Sequence, residues 1–292
     1  MSRDRVDFHL HSTASDGSEP PDRLPVLANN AGLAACAITD HDTIEGVEEF
    51  LLAGKNFPEM KCFPGVELSS RYGYREIHII GLGVNHHNQE LRKFLDNMKL
   101  ERLRRARIMS ERLAQCGYPV PDEEWINHEV VGRMHFARIL CRIYNFEDTN
   151  AVFEKLLRHG APGYVPRLLP TPAEVIQVIH QAGGAAIWAH PVYANGRERQ
   201  WAKKVLRHIT PAGLDGMEAY YAGFCEEQTT LVKNLAQEFD LILSGGSDFH
   251  GAGHKNIAVG SGYGNLFVPA EVIAPLENRI ENIRAGYFPK TE

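Results

Sequence analysis

Seven short apolar runs rich in β-forming residues recur along the chain, with helical patterns between several of them. The runs cover residues 6–10, 34–39, 61–68, 77–84, 185–189, 216–220 and 241–244; helical patterns cover 21–31, 43–53, 172–181 and 226–238. Thr171-Pro172-Ala173-Glu174 is a helix start, with Thr171 as N-cap, Pro172 at the first helical position and Glu174 in the first turn. Gly183-Gly184 ends that helix and releases the next strand. Alternation of this kind predicts an α/β fold with a mainly parallel sheet, and barrel closure is compatible with it.

The middle of the chain breaks the alternation. Residues 89–159 carry little strand signal, and Leu91, Phe94, Leu95 and Met98 fall at helical spacing. This stretch is expected to be a helical insertion into a discontinuous domain formed by 1–88 and 160–292.

Composition narrows the class. Five scattered cysteines form no C-x-x-C pair, which argues against a disulfide framework or a thiolate zinc site and fits a reducing compartment. The charged start Met1-Ser2-Arg3-Asp4-Arg5 has no apolar h-region behind it, and no run is long enough to span a membrane, so a cytoplasmic protein is expected. A net charge of -6 excludes general coating of nucleic acid, which needs a basic surface.

The ends of the apolar runs hold the chemistry. His9-Leu10-His11 places two imidazoles at i and i+2, on one face of a strand, with Asp16 in a turn just beyond. Thr39-Asp40-His41-Asp42 follows a buried strand, where titratable groups are costly without partners or a metal. Asp42 also reads as a cap for the helix over 43–53. Glu67 closes another run, although a surface residue fits that position equally well. His78 lies inside its run, where a core histidine is the ordinary alternative. His190 and the pair Asp248 and His250 complete the set. Active sites of parallel α/β folds form at the C-terminal ends of strands, where all but His78 stand. Histidines and carboxylates without cysteine suit Mn2+, Fe2+ or Zn2+, and so many donors call for two or three ions, an arrangement that serves phosphate-ester hydrolysis.

These motifs together resemble the polymerase and histidinol phosphatase (PHP) family, across residues 6 to about 251 outside the helical middle. The resemblance implies a distorted (β/α)7 barrel with a helical insertion and a site for three divalent ions, with Mn2+ the first choice and Fe2+ or Zn2+ as alternatives. His9, His11, Glu67 and Asp248 would hold one ion; Glu67 would bridge to a second held by His78 and His190; Asp16, His41 and His250 would hold the third. Asp248 is assigned to orient or deprotonate the attacking water, and His190 or His41 to assist the leaving group.

Gly132-Arg133-Met134-His135-Phe136-Ala137-Arg138 resembles the subgroup of nucleoside 3',5'-bisphosphate phosphatases and 5'-3' exoribonucleases acting on short RNA. That implies conversion of adenosine 3',5'-bisphosphate to AMP and phosphate. A second phosphate needs a cationic site of its own. Arg102 and Arg105 share a helix face within the basic run 102–107, while Arg133, His135 and Arg138 lie near a helix start, and Ser12 joins them as a substrate contact. An ordinary solvated charged helix is the alternative for the arginines. The rival functions are a histidinol phosphate phosphatase, a nuclease on longer strands, and a non-catalytic PHP binding module. The partner expected is a small nucleotide or short RNA, with no membrane and no obligate protein.

Overall fold

Six of the seven apolar runs each become one strand, with shifted ends, and the run 61–68 becomes two. The computed structural model describes residues 3–126, 131–192, 198–254 and 256–286. The chain runs through β1 (Val6–Leu10), α1 (Arg23–Asn30), β2 (Ala35–Ile38), α2 (Val47–Gly54), β3 (Lys61–Phe63), β4 (Gly65–Tyr72), β5 (Arg75–Leu82) and α3 (Gln89–Gln115). It continues through α4 (Arg133–Tyr144), α5 (Thr149–Val152), α6 (Pro172–Gln181), β6 (Ala185–Trp188), α7 (Glu198–Ile209), β7 (Gly216–Tyr221), α8 (Glu226–Glu238), β8 (Ile242–Gly246) and α9 (Ile273–Arg284).

The run 61–68 is two strands, not one, because Pro64 has no amide proton for a ladder. The break separates two sheets, ordered β1-β2-β3 and β4-β5-β6-β7-β8. The expected mainly parallel sheet holds for β1-β2-β3 and β6-β7-β8, but β5 runs antiparallel to both β4 and β6. Only Gly73 and Tyr74 separate β4 from β5, and a parallel crossover needs about a dozen residues, so this pair must be a hairpin. Isolated bridges, Leu10 to Phe249 and His41 to Glu67, link the sheets; no continuous ladder closes them into one cylinder among the described residues.

The α6 start has the anticipated capping box: Thr171 Oγ1 accepts the Glu174 amide, and Glu174 accepts the Thr171 amide. The cap expected of Asp42 is not made. Helix α2 begins later, behind Gly46, and the Asp42 carboxylate instead accepts the Ser69 amide at 2.8 Å and its hydroxyl at 3.1 Å.

The chain divides into two compact units, residues 1–94 with 170–292 and residues 95–169. In the first, Val6, Phe8, Ala35, Ala37, Ile80, Leu82, Ala185 and Ile187 pack with Leu276, Ile280 and Ile283 of α9. Small alanines on β2 and β6 leave room for the branched side chains that α9 presents at helical spacing. In the second, Met109, Leu113, Trp125, Phe136, Leu140, Leu156 and Leu157 form a separate core. Among the described residues no helix is long and apolar enough to cross a membrane.

Candidate metal centre

Strand β1 brings the first two imidazoles inward by simple alternation. Val6 and Phe8 pack in the core, and the register against β2 shifts between Asp7 and Leu10. Alternation leaves His9 and His11 on the opposite face, toward the carboxylates of Glu67 and Asp248. Strand β8 passes very close here: a Cβ at Gly246 would lie 2.3 Å from the Cβ of His9, so only glycine fits.

Glu67 is the hub. Its Oε2 lies 3.3 Å from Nε2 of both His9 and His11 and 2.8 Å from His41 Nδ1; its Oε1 lies 2.9 Å from His78 Nδ1 and 3.1 Å from His190 Nε2. Asp248 Oδ1 faces the same two imidazoles, 3.3 Å from His9 and 3.2 Å from His11. His250 Nε2 meets Asp16 Oδ1 at 3.2 Å, and His41 Nε2 stands 4.0 Å from Asp16 Oδ2. All nine candidate ligands, including His78, therefore converge on one region, and His78 is not a core histidine. Seven of them form three overlapping groups of donor atoms within 4.8 Å of one another: His11, Asp16, His41 and His250; His9, His11 and Glu67; His41, Glu67 and His78.

The donors fit divalent ions. His9 Nε2, both ring nitrogens of His11 and Glu67 Oε2 are buried and make no hydrogen bond, although oppositely charged groups stand beside them. Buried polar atoms are rarely left so. Donors about 2.0–2.2 Å from a shared ion stand roughly 3–3.5 Å from each other, the spacing of His9, His11, Glu67 and Asp248. His250 Nδ1 donates to the carbonyl of Asp248 at 2.9 Å, which leaves its Nε2 as the lone-pair nitrogen beside Asp16.

Electrostatics tie the cluster together. Burial alone pushes the Glu67 carboxyl up, but the fields of His41, His78 and His9 outweigh it and hold it well below the usual range. Asp248 is likewise driven up by burial and brought well below its ordinary value by His9 and His11. Burial lowers the His11 imidazole, yet the adjacent carboxylates of Asp248 and Glu67 raise it to about 10; His78, opposed by burial in the same way, is raised to about 10 chiefly by Glu67. His41 is lowered, burial prevailing over Glu67. A metal must displace the protons on His11 and His78, so divalent-ion affinity is expected to rise from about pH 6 to about pH 8, by about tenfold or more per unit. Titration of Mn2+ against a competing chelator at several pH values measures this; a flat profile contradicts it.

Several polar groups around the site were not singled out from the sequence. Glu218 of β7 accepts from His9 Nδ1 and from the His190 amide. Tyr221 donates to Asp248 Oδ2 at 2.9 Å, and burial followed by the field of Asp248 raises its phenol, so it remains a donor. The available signal was a charged residue inside the apolar run 216–220, the one run that supplied no candidate. Asp40 accepts the Ser12 amide and the hydroxyls of Ser12 and Ser15. Ser12, expected from the sequence to contact substrate, is buried and bonded to Asp40.

The proposed substrate arginines all belong to residues 95–169. Arg102, Arg105, Arg167 and Glu101 line one cavity. Arg105 is buried, donates from Nε to the Val165 carbonyl at 2.7 Å, and is pushed down to about 10 by burial and by Arg167, Arg133 and Arg102. Arg133 lies over the rings of Phe153 and Tyr164, and His135 is in the first turn of α4. Arg138 is exposed, about 140° around α4 from Arg133, so it does not join the others as expected. Arg104 and Arg107 are exposed too, and Arg104 pairs with Glu101.

Comparison with known proteins agrees with this architecture. The PHP domain model matches residues 7–157. A 5'-3' exoribonuclease of Haemophilus influenzae is 34% identical over 248 residues, covering 84% of this chain and 90% of that protein. A 3',5'-nucleoside bisphosphate phosphatase of Chromobacterium violaceum is 32% identical over 262 residues, covering 87% of this chain and 90% of its own. A crystal structure from Chromobacterium violaceum, described as an amidohydrolase with bound sulfate and no metal, superposes with a TM-score of 0.79 at 29% identity and covers 96% of both chains. With a family match over half its length and these relatives along most of it, the chain belongs to the PHP domain family.

Proposed function

We propose that this protein is a metal-dependent phosphoesterase that removes the 3'-phosphate of nucleoside 3',5'-bisphosphates, turning adenosine 3',5'-bisphosphate into AMP and phosphate, and that also trims short RNA from its 5' end. The convergence of five imidazoles on the two oxygens of one buried carboxylate, Glu67, carries the reading. The named activities of the relatives support the choice of substrate. We take the two sheets as the parts of a distorted (β/α)7 barrel, and residues 95–169 as its insertion.

Three ions, Mn2+ first among the candidates, would be held by His9, His11, Glu67 and Asp248, by Glu67, His78 and His190, and by Asp16, His41 and His250. Bound there, they would supply Lewis acidity and a water of lowered pKa. The chain's own part is to place the groups. Asp248, its Oδ2 held by Tyr221, orients and deprotonates the attacking water. A ring nitrogen engaged as a ligand cannot also deliver a proton, so donation to the leaving oxygen falls to the other nitrogen of His190 or His41. Of these, among the described residues His190 turns only Nε2 to a carboxylate, whereas both nitrogens of His41 face one. We assign the proton to His190.

Arg102 and Arg105, in a cavity with Arg167, are proposed to recognise the second phosphate. Arg102→Ala is expected to lower kcat/KM for adenosine 3',5'-bisphosphate by about 10- to 100-fold and to leave a 3'-monophosphate nearly unaffected. Phosphate-release assays on both substrates, with histidinol phosphate alongside, test this. Equal losses on both nucleotides remove the arginine assignment, and far faster turnover of histidinol phosphate overturns the substrate choice.

A further inference from the structure

We propose that Glu218 is a positioning residue that sets two of the candidate ligands at once, the ring of His9 and the backbone of His190; this rests on the metal-centre reading above. Glu218 is 1% exposed, inside β7, where pairing with β8 shifts register between Glu218 and Tyr220. Burying a carboxylate in a strand is costly unless its oxygens find strong partners. Both do: Oε1 lies 2.9 Å from His9 Nδ1, and Oε2 accepts the His190 amide at 2.7 Å.

Each bond has a separate consequence. To donate to a carboxylate, His9 must carry its proton on Nδ1, which leaves Nε2 as the lone-pair nitrogen facing Glu67 and Asp248. That Nε2 is buried and unbonded, as a metal-facing nitrogen should be. His190 has φ +31°, in the left-handed region that non-glycine residues avoid, and a charge-assisted bond to its amide helps to hold that turn. The two rings lie nearly parallel, 5.9 Å apart at 20°. His9 belongs to the proposed first ion and His190 to the second, so one carboxylate ties together ligands arriving from β1 and from the end of β6.

The test is Glu218→Gln, which preserves volume but turns either an amide NH2 toward the His9 Nδ1 proton or its NH2 toward the His190 amide. The variant is expected to give the wild-type circular dichroism spectrum when metal-free and to bind Mn2+ about 10- to 100-fold more weakly in competition with a chelator. Its kcat should fall with KM nearly unchanged at saturating metal. Wild-type Mn2+ affinity in a folded E218Q overturns the proposal. If E218Q does not fold, the wild-type protein decides: nitrogen NMR of the Zn2+-loaded form must show His9 protonated at Nδ1, and protonation at Nε2 refutes the assignment. Neither the Mn2+ titration nor the NMR measurement uses substrate, so a mistaken substrate and a mistaken Glu218 are told apart.

Discussion

Glu67→Gln is expected to reduce Mn2+-supported turnover by about 10^4-fold and to strip the protein of most of its metal affinity. The side chain keeps its shape but loses the charge that five imidazoles share. Elemental analysis after gel filtration and steady-state assays at saturating Mn2+ measure the two effects. The metal-free protein should suffer as well. His11 and His78 have folded pKa values raised to about 10 from an ordinary 6.5, so the stability they contribute is full below about pH 6.5 and is lost as pH rises through about 10. Removing their carboxylate partner should therefore cost roughly 3–5 kcal/mol at neutral pH, with the gap narrowing toward pH 10. Urea unfolding of metal-free wild type and variant across that range checks the sign. A fully metallated, active E67Q would dismantle the centre as described.

Asp248→Asn is the second large effect, and it separates the metal centre and its chemistry from the fold. Asp248 sits at φ +56°, a conformation that asparagine also tolerates, so the backbone should survive. Its Oδ2 would still accept from Tyr221, which sends the new NH2 toward His9 and His11. Without a carboxylate to take the water's proton, kcat should fall by about 10^3-fold or more, while the fold, read by circular dichroism, is unchanged. Near-normal turnover would reassign the base. Tyr221→Phe offers a milder companion, since it frees Oδ2 and leaves the charge in place.

How much of this was legible in the sequence depends on the range of the interaction. The positions of the apolar runs, the Thr171 capping box and the i, i+2 pairing of His9 with His11 are local, set by propensity and by strand periodicity, and they appear where the residues place them. The gathering of distant histidines and carboxylates was legible for a different reason. Titratable groups at the ends of buried strands are too costly to leave alone, so each had to find a partner, and the strand ends are where partners meet.

What only the tertiary structure decided is who meets whom. Pro64 split one apparent strand and sent its halves to different sheets, and the short link at Gly73 reversed the next strand. Asp42 does not cap α2 and holds Ser69 instead, while Ser12 is bonded to Asp40. Of the arginines, Arg102 and Arg105 line a cavity, and Arg138 points away from Arg133 because five residues along a helix turn a side chain about 140° around it. Glu218 shows the limit most clearly. Its partners, His9 and His190, lie far away in the chain, and nothing within a few residues of it distinguishes a buried clamp from a misplaced charge. Residue type and local spacing determine which chemistry the chain carries. The pairing of each carboxylate with its own imidazole is a long-range contact, and it exists only once the strands have set their register.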